Sequence, residues 1–245
     1  MAVTEAALKP MDRASVQEEL PPLENGAHLD QPTFHARYKA MPEHVRAELI
    51  GGIVFMASPV RQRHGRGTVA TIAWLAGYEE ATPGTEVLGD VTLILDDESQ
   101  PEPDALLRIL PEYGGHTRVE DGYVVGAAEL VVEVAFATES IDLNRKLADY
   151  ERAGIEEYVV VLVRAQEVRW FALEEGRYQP LEPDADGLFH SRRFPGLWLD
   201  PQALLRGDLA RLRQVVQAGA ATPEHAEWVA RLASQRTPEP PPEQP

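Results

Sequence analysis

Glu133 stands in the middle of Leu130-Val131-Val132-Glu133-Val134-Ala135-Phe136, an apolar run with the composition of a buried strand. A carboxylate taken out of water without a cation or hydrogen-bond donors costs several kcal/mol or more, so this acid needs a partner. Candidates lie on both sides. Upstream, the turn-like Pro101-Glu102-Pro103-Asp104 leads into the apolar Ala105-Leu106-Leu107, and downstream Asp142 and Lys146 sit four residues apart in a helix-like stretch. Cleaving a phosphodiester with a divalent cation requires hard oxygen ligands, usually one or two carboxylates, and a positive charge to orient water or stabilise the transition state. Asp104 and Glu133 suit the ligand role if their strands are neighbours, the backbone carbonyl of Val134 would add a third oxygen, and Lys146 would supply the charge.

Each piece taken singly has a plainer reading. An Asp after Pro often begins a turn. Asp142 and Lys146 at this spacing make an ordinary surface ion pair worth a few tenths of a kcal/mol. Glu133 resists such an account, because its flanks are so apolar that any explanation requires a buried partner. The order Asp, then Glu on a strand, then Lys on the next helix lifts the set above its members. Two further residues join as candidates. His64 lies among Arg61, Arg63 and Arg66, the one locally basic cluster of the body, which either meets a phosphate backbone or is simply a solvated helix start. Glu48 alternates with apolar neighbours and is either an extra acid near the metal or a solvent-facing side chain. Trp74, Trp170, Trp198 and Trp228 each sit within an apolar pattern, which suits packing better than base stacking. No nucleophile elbow or metalloprotease spacing occurs.

These groups need elements to position them. The segment 34–40 has the character of a short helix. Ala47–Ile50 and Ile53–Met56 flank Gly51-Gly52, the signature of a two-residue hairpin turn. Arg63 to Ala81 has apolar residues at helical spacing. Strands are expected over 86–95, 105–109, 130–136 and 158–163, with 113–126 a Gly-rich loop. Between the last two strands, Thr138 is placed to cap a helix that runs to Ala153 and stops at Gly154. That strand–helix–strand unit implies a right-handed parallel crossover in a mixed sheet. Val168–Leu173 with Tyr178–Leu181 forms a further hairpin, and helices over 201–217 and 223–235 close the chain. Four regions follow: a disordered tail over 1–30, a main domain over 31–200, C-terminal helices over 201–236, and a Pro-rich disordered tail over 237–245.

Composition narrows the chemistry. Cysteine is absent from all 245 residues, which removes disulfides, thiolate metal sites and cysteine nucleophiles and points to a reducing, cytoplasmic setting. No stretch is apolar enough for a membrane span, and the first residues lack the pattern of a secretory leader. The net charge of −17 argues against extensive nucleic-acid contact, because that affinity comes from neutralised phosphates. Any such contact must be local, transient or metal-assisted.

The chain resembles the PD-(D/E)xK nuclease superfamily, in particular its Uma-type branch of restriction-like endonucleases. The likeness is carried by Glu48-Leu49-Ile50-Gly51-Gly52, Ser58-Pro59 followed by His64, Pro103-Asp104, Val132-Glu133-Val134, and Asp142 with Lys146, Tyr150, Gly154 and Glu157-Tyr158. Phe194-Pro195-Gly196-Leu197 resembles the closing segment, and the likeness spans roughly residues 31–205. It implies an α/β fold, a restriction-endonuclease-like mixed β-sheet core flanked by helices, with Asp104 and Glu133 as ligands of Mg²⁺ (or Mn²⁺). In the commonest pattern the lysine lies two residues after the acid, where this chain has Ala135; a lysine on the following helix fits the Uma-type branch, so Lys146 inherits that role and Asp142 would position it. Two other departures are Ala135-Phe136-Ala137 in place of a leucine-serine-proline turn, and Leu162-Val163-Arg164 where an Asp-Pro usually follows the strand. The expected activity is metal-dependent hydrolysis of DNA, with a homodimer favoured because cutting both strands suits paired sites. The competing expectations are a catalytically inactive scaffold serving binding or regulation, and hydrolysis of a small phosphorylated ligand.

Overall fold

The computed structural model describes residues 20–42, 44–57 and 61–237. Ser58-Pro59, part of the resemblance above, and most of the two expected tails lie outside the described residues. The chain enters through α1 (Gln31–Ala40), whose first turn is capped by the Asp30 carboxylate accepting from the Thr33 amide and carries Pro32 where no N–H is needed. Strands β1 (Ala47–Ile50) and β2 (Ile53–Met56) form the expected hairpin. Gly51 and Gly52 occupy φ of 56° and 73°, the double positive φ that such a turn demands. Helix α2 (Gln62–Ala81) follows.

The main sheet has six strands in the order β11-β10-β9-β8-β5-β3. They are β3 (Thr85–Leu88), β5 (Ala105–Ile109), β8 (Leu130–Ala135), β9 (Glu157–Leu162), β10 (Glu167–Glu174) and β11 (Arg177–Leu181). Within this sheet only β8 and β9 run parallel. Their connection is a π-wound turn, Ile141–Lys146, running into α3 (Leu147–Ala153) and closed by left-handed Gly154 at φ 83°. Both strands are buried along their whole length, as expected for central strands covered on two faces. One face packs Val132, Val134, Val159 and Val161 against Trp74, Leu75 and Tyr78 of α2 and against the C-terminal helices. The other packs Leu106, Val131, Tyr158 and Val160 against Tyr150 of α3.

Small elements fill the rest: β4 (Leu93–Ile94), β6 (Arg118–Glu120) and β7 (Tyr123–Val125) form a three-stranded sheet, and β12 (Phe189–His190) pairs with β13 (Trp198–Leu199). The chain closes with α4 (Pro201–Arg206), α5 (Leu209–Ala220) and α6 (Pro223–Gln235). No helix among the described residues is long and apolar enough to cross a membrane.

Several boundaries differ from the sequence expectation. The strand expected over 86–95 is divided between two sheets, because Asp90 turns the chain at φ 52°. The loop expected over 113–126 contains the β6–β7 hairpin. One helix expected over 201–217 is two, broken at Gly207 in the left-handed region. Residues 20–30, placed in a disordered tail, are partly packed: Leu23 is buried beside Phe34, Leu49 and Val54. The tryptophans are packing residues, with Trp74 and Trp170 in edge contact at 5.5 Å and Trp198 stacked on His190.

Candidate active site

The β5–β8 register pairs Ala105 with Val132 and Leu106 with Val131, and one further step sets Asp104 opposite Glu133. The two acids thus reach the same end of adjacent strands. Glu133 is 4% exposed, and its neighbours come from the crossover. Its Oε1 accepts from Lys146 Nζ at 2.8 Å and from the Tyr150 hydroxyl at 2.7 Å. The buried partner that the sequence demanded is therefore Lys146. The same ammonium donates to Glu48 Oε1 at 2.7 Å, so Glu48 faces inward and the solvent-facing alternative does not hold. Glu48 is fixed in turn by the Glu102 amide at 2.7 Å.

Asp104 is held from the other layer. Its Oδ2 accepts from the Val134 amide at 2.8 Å, and its Oδ1 from Thr68 of α2 at 3.1 Å. His64 Nε2 lies 3.3 Å from the same Oδ1, which brings the histidine from the basic cluster into the site. Asp142 is buried at 2% exposure, yet no hydrogen bond joins it to Lys146 among the described residues. Lys146 is positioned by Glu48 and Glu133 instead, and the anticipated i,i+4 pair is absent there. The π-wound turn that carries Asp142 and Lys146 is a rare geometry concentrated at functional sites.

Charge follows from this packing. Burial pushes the Glu133 carboxyl well above the usual range, against the opposing pull of Lys146. Burial pushes Asp142 up to about 6, again against Lys146. Burial alone would strip the Lys146 proton, but Glu133 and Glu48 outweigh it and hold the ammonium charged above its ordinary value. The Asp104 bond raises His64, and burial, reinforced by Glu133, raises Tyr150. One ammonium faces Glu48, Glu133 and Asp142, so negative charge is in excess at this end of the sheet.

The acceptors left over in this cluster are carboxylate oxygens, the donor type that hard cations take. Glu133 and Glu48 each take all their hydrogen bonds on Oε1, leaving both Oε2 atoms without a partner among the described residues. Among the described residues no group of three or more His, Cys, Asp and Glu side chains is placed to hold a metal ion. Magnesium characteristically uses one or two carboxylates and completes its shell with water and phosphate oxygens, so the missing third side chain is compatible with it.

Sequence reasoning left Tyr150, Thr68, Glu102 and Asp149 without a role. Tyr150 was findable, since it lies one turn beyond Lys146 on the same helical face. Asp149 accepts from the Gly51 amide and the Ser99 hydroxyl, both at 2.6 Å, and thereby ties the β1–β2 turn to α3. Those contacts span about fifty residues or more in sequence and leave no local pattern.

Comparison with known proteins agrees with the architecture. The model of the Uma2 family, described as "Putative restriction endonuclease", matches residues 32–202. The fold is similar to the crystal structure of "a putative nuclease belonging to DUF820" from Anabaena variabilis ATCC 29413, with a TM-score of 0.51, 13% identity, and coverage of 69% of this chain and 97% of that one. No curated protein matches the chain.

Proposed function

The chain belongs to the Uma2 family, whose model is described as "Putative restriction endonuclease", across residues 32–202, and from that premise we propose that it is a metal-dependent endonuclease that hydrolyses DNA phosphodiester bonds. The observation that carries the reading is the Glu133–Lys146–Glu48 chain, buried at Glu133 and Lys146 and half-buried at Glu48, with salt bridges of 2.8 and 2.7 Å, beside Asp104 at the end of two neighbouring strands. Asp104 and Glu133 would hold Mg²⁺ or Mn²⁺, with Glu48 close behind. The cation supplies Lewis acidity toward a phosphate oxygen and acidifies water. Lys146 stays protonated between its two carboxylates and donates toward the attacking water or the charged phosphate. Tyr150 fixes the Glu133 carboxyl, and Thr68 and His64 fix that of Asp104. Asp142 adds negative charge close to the ammonium.

Supercoiled plasmid incubated with Mg²⁺ or Mn²⁺ tests the reading. Wild type nicks or linearises it, chelator abolishes the reaction, and Glu133→Gln lowers the rate by about 10²–10³-fold, the usual loss for one preorganised charged group. Equal cutting by Glu133→Gln would refute the assignment. A second reading, an inactive nuclease scaffold used for binding, is favoured by the absence of a finished metal cage among the described residues and by the charge of −17. Titration calorimetry separates the two: a working site takes up Mn²⁺ with heat that Asp104→Asn abolishes, whereas an inert scaffold gives only dilution heat.

A further inference from the structure

A groove of about 390 Å³ lies between the first turns of α2, the β9–β10 turn and α4. Its lining includes Gln62, Arg63, Arg66, Arg164 and Gln166 and contains no acidic residue. That is unusual in a chain with 40 acids and 23 lysines and arginines. Among the described residues neither Arg63 nor Arg164 forms an ion pair, although most arginines that make contacts elsewhere on this surface do. Among the described residues Arg66 donates only to the carbonyl of Arg206, at 3.1 Å. Exposed guanidinium groups without acidic partners, flanked by amide side chains, have the chemistry of a phosphate-binding surface.

Position supports this. The groove floor includes Gly67, against which Val134 is packed so closely that a Cβ there would lie 2.7 Å from its Cγ1. The Val134 amide is the one that binds Asp104. His64, within one turn of Arg63 and Gly67, touches the same carboxylate. Val134 and one turn of α2 thus link the groove to Asp104, at the carboxyl ends of the two parallel strands.

We propose that this groove holds the phosphodiester backbone of a polynucleotide, with Arg63 and Arg164 each neutralising a phosphate next to the scissile position. The inference rests on the nuclease reading and deepens it by naming where the substrate lies. It also reconciles a polynucleotide substrate with an acidic chain: contact is confined to one acid-free strip.

The test is fluorescence anisotropy with a short labelled duplex and its single strand, in chelator so that nothing is cut, across a salt series. Arg63→Ala/Arg164→Ala is expected to weaken binding about tenfold or more at low salt. It should also flatten the slope of log affinity against log salt by about 2, one unit of roughly 0.9 per lost phosphate contact. Arg63→Lys/Arg164→Lys should restore most of the slope, since charge is kept. Arg118→Ala/Arg177→Ala, exposed and outside the groove, should change neither quantity. Unchanged affinity and slope in the first variant would overturn the groove while leaving plasmid cutting, and so the nuclease reading, intact. A wild type that hydrolyses bis-p-nitrophenyl phosphate but binds no oligonucleotide would overturn the groove together with the DNA substrate, leaving a phosphodiesterase of small ligands. A wild type that neither binds nor cuts would remove both.

Discussion

At the scale of single residues, the site is governed by unequal burial of like charges. Asp142 has a folded pKa of about 6 against an ordinary value near 3.9 in the unfolded chain. The folded state therefore binds the proton more tightly, and between about pH 4 and 6 stability falls as pH rises. The full penalty is present above pH 6 and vanishes below the unfolded value. Asp142→Asn, measured by urea unfolding in chelator, is expected to be more stable than wild type at pH 7.5, by up to about 3 kcal/mol for a two-unit shift. The advantage should shrink toward zero at pH 4. A gain equal at both pH values would mean that the buried charge is not its source. Tyr150→Phe probes a different link. It deletes one donor to Glu133 while Lys146 still occupies the same oxygen, so a loss of about 1 kcal/mol is expected, without collapse of the fold.

Legibility was uneven at this scale for a physical reason. Glu133 declared itself because a charge inside an apolar run has few explanations. Asp104 and Lys146 were found through their order around it. Glu48 was ambiguous, since alternation along a four-residue strand does not reveal which face meets the core. Asp142 sits where the pattern put it, but its expected bond to Lys146 is replaced by contacts from Glu48 and Glu133, because a buried ammonium is drawn to the carboxylates that arrive from other strands.

At the scale of elements, the close approach of α2 to the sheet is the device that joins the groove to Asp104. Gly67 permits it. Gly67→Ala would set a methyl 2.7 Å from Val134 Cγ1, and Val134 is a branched side chain in the core with little room to yield. The expected cost is about 1–3 kcal/mol, the range for overpacking. Cleavage should fall as well, because Val134 supplies the amide that fixes Asp104. Gly67→Ala/Val134→Ala removes the clash, so the double variant should lose less than the sum of the two single changes, which a thermodynamic cycle measures. Strict additivity would show that the helix does not bear on this strand.

The same scale explains which elements were visible in advance. The hairpin at Gly51-Gly52 and the strands β8 and β9 follow from local turn chemistry and continuous apolar runs. The β6–β7 hairpin was not visible: Arg118–Glu120 is fully exposed, so no alternation marks it. The division of 86–95 into two sheets depends on a left-handed Asp90, which sequence does not announce. The break between α4 and α5 falls at Gly207, whose left-handed turn outweighs the helical spacing on either side.

At the scale of the whole molecule, the C-terminal helices are part of the same core as the main sheet. Leu204, Leu212, Val216 and Leu232 share one buried cluster with Trp74 and with Val132 and Val134 of β8. The buried Thr82 hydroxyl and His225 Nε2, 2.9 Å apart, tie α6 to the end of α2. The region given separate boundaries at 201–236 therefore completes the face that positions α2, and through α2 the groove and His64. Unfolding should accordingly be a single event. Urea titrations followed by tryptophan fluorescence and by far-UV circular dichroism are expected to coincide, the hallmark of a two-state transition. Leu232→Ala, at 0% exposure, should shift both curves together by about 2–5 kcal/mol. If α6 instead melts early while the sheet signal stays put, the C-terminal helices are an independent layer, and the link from them through α2 to the site fails.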